Sequence, residues 1–183
     1  MSELVQRAFD LAQHALADRL PRRWRHVQGV AAKAREMNRA VSPEDRDLLI
    51  AAAWLHDIGY APGVADTGLH ALDGGRWLRD RGQPLRLASL VAHHSCALFE
   101  AAERGLADML TQEFEQEHSL TSDALWYADM TTTPDGGPTD VKARLAEVRE
   151  RYGADHPVTR FWARAEPTLL EAIGRVELAS QPM

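Results

Sequence analysis

The sequence predicts an all-α fold, a compact single-domain helical bundle over residues 1–183. Apolar residues recur at spacings of three and four almost everywhere in the chain, which is the periodicity of amphipathic helices. No stretch alternates apolar and polar residues for long enough to predict a strand. A chain of 183 residues with 45% hydrophobic and 26% charged residues has the composition of one soluble domain with a single core.

Three helices are predicted before residue 58. Ser2 can cap a first helix that runs to about residue 19. Pro21 begins a second helix over 21–39, whose apolar residues recur at helical spacing. The segment "SPED" begins a third helix over 43–57, because proline and acidic residues are favoured in the first turn.

Two loops and six further helices are predicted in the rest of the chain. Glycine and proline content predicts the loops, at 59–68 and 132–138. The helices are predicted at about 69–81, 85–94, 100–110, 121–132, 139–152 and 157–178. The C-terminal helices, 139–178, carry no motif, and we expect them to pack on the bundle or to form a homodimer surface.

The composition excludes several classes of protein. The formal net charge of −6 argues against a nucleic-acid polymer as the main partner. Cys96 is the single cysteine, so no intrachain disulfide is possible and a reducing cytoplasm is the expected compartment. No stretch approaches the roughly 18 uncharged apolar residues that a membrane span requires, so no membrane association is expected.

Polar, titratable residues stand where the helical period calls for aliphatic ones. The segment "AAAWLHDIGYAPG" ends an apolar run in a histidine and an aspartate. Such side chains are costly to bury unless a partner satisfies them. Either each is a hydrogen-bonded core group with its own partner, or together they hold a cation. The residues on apolar stripes come from four predicted helices, and they are His26, His56, Asp57, His94 and Asp129.

Imidazoles and carboxylates that converge inside a bundle are typical of metal sites. With no thiolate among them, the set suits iron, manganese, zinc, nickel or cobalt. Two further histidines are candidates: His70 opens the helix after the first loop, with Gly74 on its face, and His93 lies off the stripe of His94. For His93 three roles stay open, which are binding a second metal, orienting substrate and donating a proton.

These residues resemble a known family. The order of His26, the dipeptide "HD" at 56–57 and Asp129 is similar to the H…HD…D pattern of the HD-domain superfamily of metal-dependent phosphohydrolases. The flanking segments "RRWRHVQGVAAKA", "LLIAAAWLHDIGY" and "YADMTTTPDG" resemble it as well. The resemblance covers about residues 20–140 and implies the all-α bundle of HD-type domains.

The resemblance also implies a metal centre and a reaction. One divalent ion would be held by His26, His56, Asp57 and Asp129. Asp57 would bridge to a second ion held by His70 and His94, with His93 as a further ligand or as a proton donor. Hydroxide activated by the metals would then cleave a small phosphoester or nucleotide, with Asp57 and His93 as the catalytic residues.

Four residues are candidates for substrate binding. Arg22, Arg23 and Lys33 lie on or near the face of His26 and could contact phosphate. Tyr60 stands where many relatives carry a lysine after the "HDIG" or "HDIA" motif, and its hydroxyl could donate a hydrogen bond instead. The chain lacks the Glu-Asp pair of alarmone-hydrolysing relatives, which argues against that substrate.

Two alternatives to a phosphohydrolase remain at this point. Some HD-type proteins with six such ligands are diiron oxygenases, which cleave carbon–carbon or carbon–phosphorus bonds with dioxygen. A non-catalytic sensor of a phosphorylated metabolite is the other alternative. Neither the metal, nor the substrate, nor the number of ions follows from the residues alone.

Overall fold

The structure, a computed structural model, describes residues 2–181. Within that range the secondary structure is helical, as predicted, apart from an isolated antiparallel bridge between Thr132 and Pro138. The α-helices are α1 Glu3–Leu16, α2 Pro21–Glu36, α3 Arg46–Leu55, α4 His70–Asp80, α5 Leu85–Ala92, α6 Ala97–Glu103, α7 Ala107–Glu113, α8 Leu120–Met130, α9 Val141–Tyr152 and α10 Pro157–Ala179. Short 3₁₀ segments lie at Met37–Arg39, Pro43–Asp45, Ile58–Tyr60 and His94–Cys96.

Helix α3 is the centre of the bundle. Every residue from Leu49 to Leu55 is buried, so the helix has no polar face along this stretch. It packs against α1, α2, α5 and α8. Its three consecutive alanines, 51–53, are fully buried and let the neighbouring helices approach closely. His56 and Asp57, which directly follow the central helix, therefore lie in the interior of the bundle.

The first three helices are each a few residues shorter than predicted, and two later ones differ more. The helix predicted at 100–110 is divided into α6 and α7, because Gly105 adopts a φ of 70° that a continuing helix cannot accommodate. The helix predicted at 85–94 ends at Ala92, because the backbone turns through left-handed conformations at Ser95 and Cys96. This second difference changes where His93 and His94 point.

The C-terminal helices pack on the middle of the chain and on each other. Helix α10 packs against α8, α6 and α9, and buries Phe161, Trp162 and Leu169. None of the helices within residues 2–181 combines the length and the apolar character that crossing a bilayer requires.

Candidate metal centre

The first group of converging ligand atoms comes from three helices. We call His26 of α2, His56 at the end of α3 and Asp129 of α8 the first triad. His26 Nε2 lies 3.0 Å from Asp129 Oδ1 and 3.4 Å from His56 Nε2. All three residues are buried, and their ligand atoms lie within 4.8 Å of one another.

The second group lies beside the first. We call Asp57, His70 of α4 and His94 the second triad. His70 Nε2 lies 3.1 Å from His94 Nε2 and 3.6 Å from Asp57 Oδ1, and the distance from His94 Nε2 to Asp57 Oδ1 is 3.9 Å. His70 came from the loop-to-helix boundary in the sequence, and the structure brings it to the same point as the residues on the apolar stripes.

The carboxylate of Asp57 belongs to the second triad and also faces the first. Its Oδ1 faces His70 and His94, whereas its Oδ2 lies 3.3 Å from His56 Nε2 and 3.6 Å from His26 Nε2. One carboxylate thus offers an oxygen to each group, which is the geometry that a bridging ligand needs.

Backbone carbonyls fix the orientation of three imidazoles. The Nδ1 atoms of His26, His56 and His94 lie 2.9, 2.8 and 2.6 Å from the carbonyl oxygens of Thr133, Ala53 and Val91, in that order. A carbonyl only accepts, so each Nδ1 must donate, and each Nε2 faces the centre. Histidines that ligate metals are commonly held in this way.

The close approach of imidazole nitrogens fits a cation between them. Two neutral rings whose Nε2 lone pairs face each other repel, unless a proton or a metal ion lies between them. The pair His26–His56 has this arrangement, because the Nδ1 of each ring donates to a carbonyl. The Nε2 atoms of His70 and His94 also approach each other, to 3.1 Å. Together with two buried carboxylates, the donor set suits divalent transition metals.

The pKa values of the side chains in the two triads are shifted by burial and by one another. Burial raises the pKa of Asp57, but Arg23 and His56 outweigh it and hold that pKa well below its usual range. Burial lowers the pKa of His56, but Asp57 outweighs it and raises the pKa to about 9. Burial and the neighbouring His94 lower the pKa of His70, and burial and His56 lower that of His94, so both imidazoles are neutral at pH 7.

Ser95 holds Asp129 from outside the two triads. Ser95 and Cys96 adopt left-handed backbone conformations, with φ of 46° and 60°, which cost a non-glycine residue about 1–3 kcal/mol. This turn directs the Ser95 hydroxyl to Asp129 Oδ2, to which it donates a hydrogen bond, while Oδ1 faces His26. The sequence carries no glycine that would signal this turn, and Ser95 was not among the predicted site residues.

We expect Ser95→Ala to weaken metal binding about tenfold, because ligands without their outer hydrogen bond lose that much affinity. Competition between the metal-free protein and a metal indicator measures this. Ser95→Gly also lacks the hydroxyl but relieves the strain, so it should bind metal as weakly and unfold at a higher temperature than Ser95→Ala. Wild-type metal affinity in Ser95→Ala would contradict the role of the hydroxyl.

The structure does not bring His93 to this centre. His93 Nε2 lies 2.9 Å from the carbonyl oxygen of Phe114, on the opposite side from His94, and its own carbonyl accepts from Trp126 Nε1. Neighbouring residues at a helix end point about 100° apart, so His93 and His94 face different sides of α5. The expected roles of His93 as ligand or proton donor therefore have no support in its position.

The basic residues predicted near the site divide into two groups. Arg23 donates to Asp57 Oδ2 at 2.6 Å, and its guanidinium lies 4.0 Å above the ring of Tyr60. Arg22 instead pairs with Asp135 at 3.1 Å, outside the metal centre. Lys33 pairs with Glu36 and lies two helical turns beyond His26, so the structure does not bring it to the site.

A pocket of about 260 Å³ opens onto the two triads, and we call it the metal pocket. Arg23 and Tyr60 line it from the N-terminal half, and Glu100 of α6 and Arg104 directly after α6 form part of its wall. Much of the remaining wall comes from α9, α10 and the turn between them, and includes Arg144, Arg151, Tyr152, His156 and Trp162. Sequence reasoning missed these residues, because no motif marks them.

Comparison with known proteins agrees with this geometry. The family model described as HD domain matches residues 23–148. That segment contains both triads and the central helix α3. No curated protein and no solved structure shows significant similarity to the chain. Because the family match covers more than half of the sequence, the chain belongs to the HD domain family, whose members are mostly metal-dependent hydrolases.

Proposed function

We propose that this protein is a metal-dependent phosphohydrolase that cleaves a small phosphoester or nucleotide at a dinuclear centre. The observation that carries the proposal is the position of Asp57 between the two triads, with one oxygen toward each. A centre with two such halves, open to a pocket, is what hydrolysis assisted by two metal ions requires.

The first triad would hold one divalent ion and the second triad the other, with Asp57 shared between them. Ions held there would lower the pKa of a water molecule to about 7 and neutralise charge on phosphoryl oxygens. The six side chains are buried or nearly so. Hydrogen bonds hold three of the four rings, those of His26, His56 and His94, and both carboxylates. Ligands positioned in this way need little rearrangement when a cation binds.

Arg23 and Tyr60 are proposed to bind the phosphoryl group. Arg23 lies against Asp57 and lines the metal pocket, and its planar guanidinium can donate to two phosphoryl oxygens at once. Burial and the nearby Asp57 raise the pKa of Tyr60, so its hydroxyl stays protonated as a donor. With Arg23 stacked on its ring, Tyr60 occupies the position of the lysine in many relatives without loss of a positive charge there.

The test is turnover by protein that has been stripped of metal and reloaded. Metal-free protein would be reconstituted with manganese, iron, cobalt, nickel or zinc and assayed for phosphate release from nucleotides, phosphomonoesters and phosphodiesters. We expect metal-dependent hydrolysis that continues without dioxygen. A strict requirement for iron and dioxygen would favour an oxygenase, and binding without cleavage across the panel would favour a sensor.

A matched control makes the assay specific to the site. Arg164 pairs with Glu103 on the surface of α10 and does not line the metal pocket. We expect Arg164→Gln to retain wild-type turnover. The kcat/KM of Arg23→Gln should fall about a hundredfold, because a charge-assisted hydrogen bond to the transition state is removed. Equal activity of the two variants would contradict the role of Arg23.

A further inference from the structure

A second cavity, of about 520 Å³, lies next to the metal pocket and is lined by arginines. They come from the segment before α2, from the first turns of α2 and from α9. We call this cavity the arginine groove, and its six arginines are Arg19, Arg22, Arg23, Arg25, Arg144 and Arg151.

The arginine groove and the metal pocket share a wall. Arg23, Tyr60, Arg144 and Arg151 line both cavities. A ligand whose reacting group lies at the triads can therefore extend past these four side chains into the groove. The groove is thus part of the surroundings of the proposed active site and not a remote patch.

Carboxylates only partly neutralise the groove. Asp135 is shared by Arg22 and Arg25, at 3.1 and 2.9 Å. Glu147 is likewise shared by Arg144 and Arg151, and Asp57 pairs with Arg23. Three carboxylates thus stand against six arginines, so positive charge exceeds negative charge in the groove, although the whole chain carries a net charge of −6. Such a local reversal of sign attracts anionic ligands.

Arg144 gives a second indication of an anion-binding site. Its side chain is only 12% exposed, and its Nε is buried without a hydrogen-bond partner within residues 2–181. A buried donor without a partner costs about 1–3 kcal/mol, which an anion at the junction of the two cavities would recover. Arginine is also the side chain best suited to phosphate, because its donors match two phosphate oxygens.

We propose that the arginine groove binds a phosphate of the substrate beyond the one that reacts. The preferred substrate would then carry a condensed phosphate chain, with its reacting phosphate at the triads and the next ones along the groove. This inference rests on the proposed phosphohydrolase function. The favoured ligand is a small molecule, because the groove is a bounded cavity in a chain that is acidic overall.

The test measures binding to metal-free protein, which separates this inference from turnover. Calorimetric titrations at low ionic strength would compare inorganic tripolyphosphate, pyrophosphate and orthophosphate. We expect tripolyphosphate to bind at least about tenfold more tightly than orthophosphate, because it contacts more arginines, and to weaken steeply with added salt. A titration with ATP distinguishes two sources of the chain: equal affinity indicates recognition of the phosphates alone, and tighter binding indicates contacts to the nucleoside as well.

Three variants of exposed side chains make the test specific. Arg25→Gln should weaken tripolyphosphate binding about fivefold to tenfold, since one charged contact is lost. Asp135→Asn should strengthen binding, because it frees Arg22 and Arg25 from their shared carboxylate. Arg164→Gln is the control, since its side chain is 52% exposed against 53% for Arg25 and lies outside both cavities.

Three results would overturn the inference. They are equal affinity for tripolyphosphate and orthophosphate, unchanged binding in both Arg25→Gln and Asp135→Asn, and tighter binding of a short single-stranded oligonucleotide than of tripolyphosphate. Hydrolysis of simple monoesters together with any of these would leave the proposed function standing. If the phosphates bind as expected but no substrate is turned over, the proposed hydrolase function would be contradicted and the anion site would be supported.

Discussion

Replacing Asp57 with alanine is expected to remove most of the bound metal and at least about a thousandfold of the hydrolytic rate, equivalent to about 4 kcal/mol of transition-state stabilisation. Asp57 belongs to the second triad and also contacts the first, with Oδ1 toward His70 and His94 and Oδ2 toward His56. Without it, the first triad keeps three residues and the second keeps two, and four imidazoles, three of them buried, lie close together without a bridging negative charge. Elemental analysis of purified protein, together with phosphate release, measures both losses.

Two further variants distinguish loss of a metal ligand from misfolding of the protein. Asp57→Asn keeps the shape of the side chain and removes its charge, so it should lose metal even where the alanine variant folds poorly. Asp123→Asn changes another buried carboxylate of the bundle, which pairs with Arg175 away from the triads, and should keep its metal. Retention of the full metal content by Asp57→Ala and Asp57→Asn would contradict the assignment.

Replacing Gly59 with alanine is expected to destabilise the fold by about 4 kcal/mol or more, which is exceptional for a single substitution. A Cβ at this position would lie 1.9 Å from the carbonyl oxygen of His70 and 2.9 Å from the backbone nitrogen of Gly74. Both are backbone atoms in the first turns of α4, so only a movement of the helix relieves the clash. That movement would carry His70 away from Asp57.

Urea unfolding followed by circular dichroism measures this loss of stability. Gly174 is the control, because a Cβ there meets no atom within 4 Å and the residue is exposed in the interior of α10. Gly174→Ala should stabilise the protein by about 0.5–1 kcal/mol through its higher helix propensity. A Gly59→Ala protein as stable as the wild type would show that α4 is not held against the segment Ile58–Tyr60 as described.

Much of the site could be predicted from the helical period alone. A polar residue on an apolar stripe needs a buried partner, and five of them on four helices can satisfy one another only by converging. The structure brings all five together: His26, His56, Asp57, His94 and Asp129. The all-α fold followed from the same period, since stripes of apolar residues every three or four positions require helices that pack on each other.

The end of α5 at Ala92 and the left-handed turn that follows could not be predicted in this way. Periodicity extends a helix until a breaker appears, and the chain offers no glycine or proline between Ala92 and Ala97. The left-handed turn at Ser95 and Cys96 is imposed by tertiary contacts, among them the hydrogen bond from Ser95 to Asp129. Local propensity does not contain such contacts.

The part of the metal-pocket wall that the C-terminal helices form could not be predicted from the sequence either. Arg144, Arg151 and Tyr152 read as exposed residues of an ordinary amphipathic helix, because their role depends on how α10 packs on α8 and α6. Packing between segments far apart in the sequence sets which side of α9 faces the triads. A pattern within one helix cannot reveal this.

The most direct test of the central claim is a crystal structure of the protein loaded with manganese. Anomalous difference maps would be calculated from data collected near the absorption edge of that metal. The two triads, joined by Asp57, predict two anomalous peaks: one in contact with His26, His56 and Asp129, and the other in contact with His70 and His94. A single peak away from Asp57, or no peak in protein that elemental analysis finds loaded, would contradict a dinuclear centre built on these side chains.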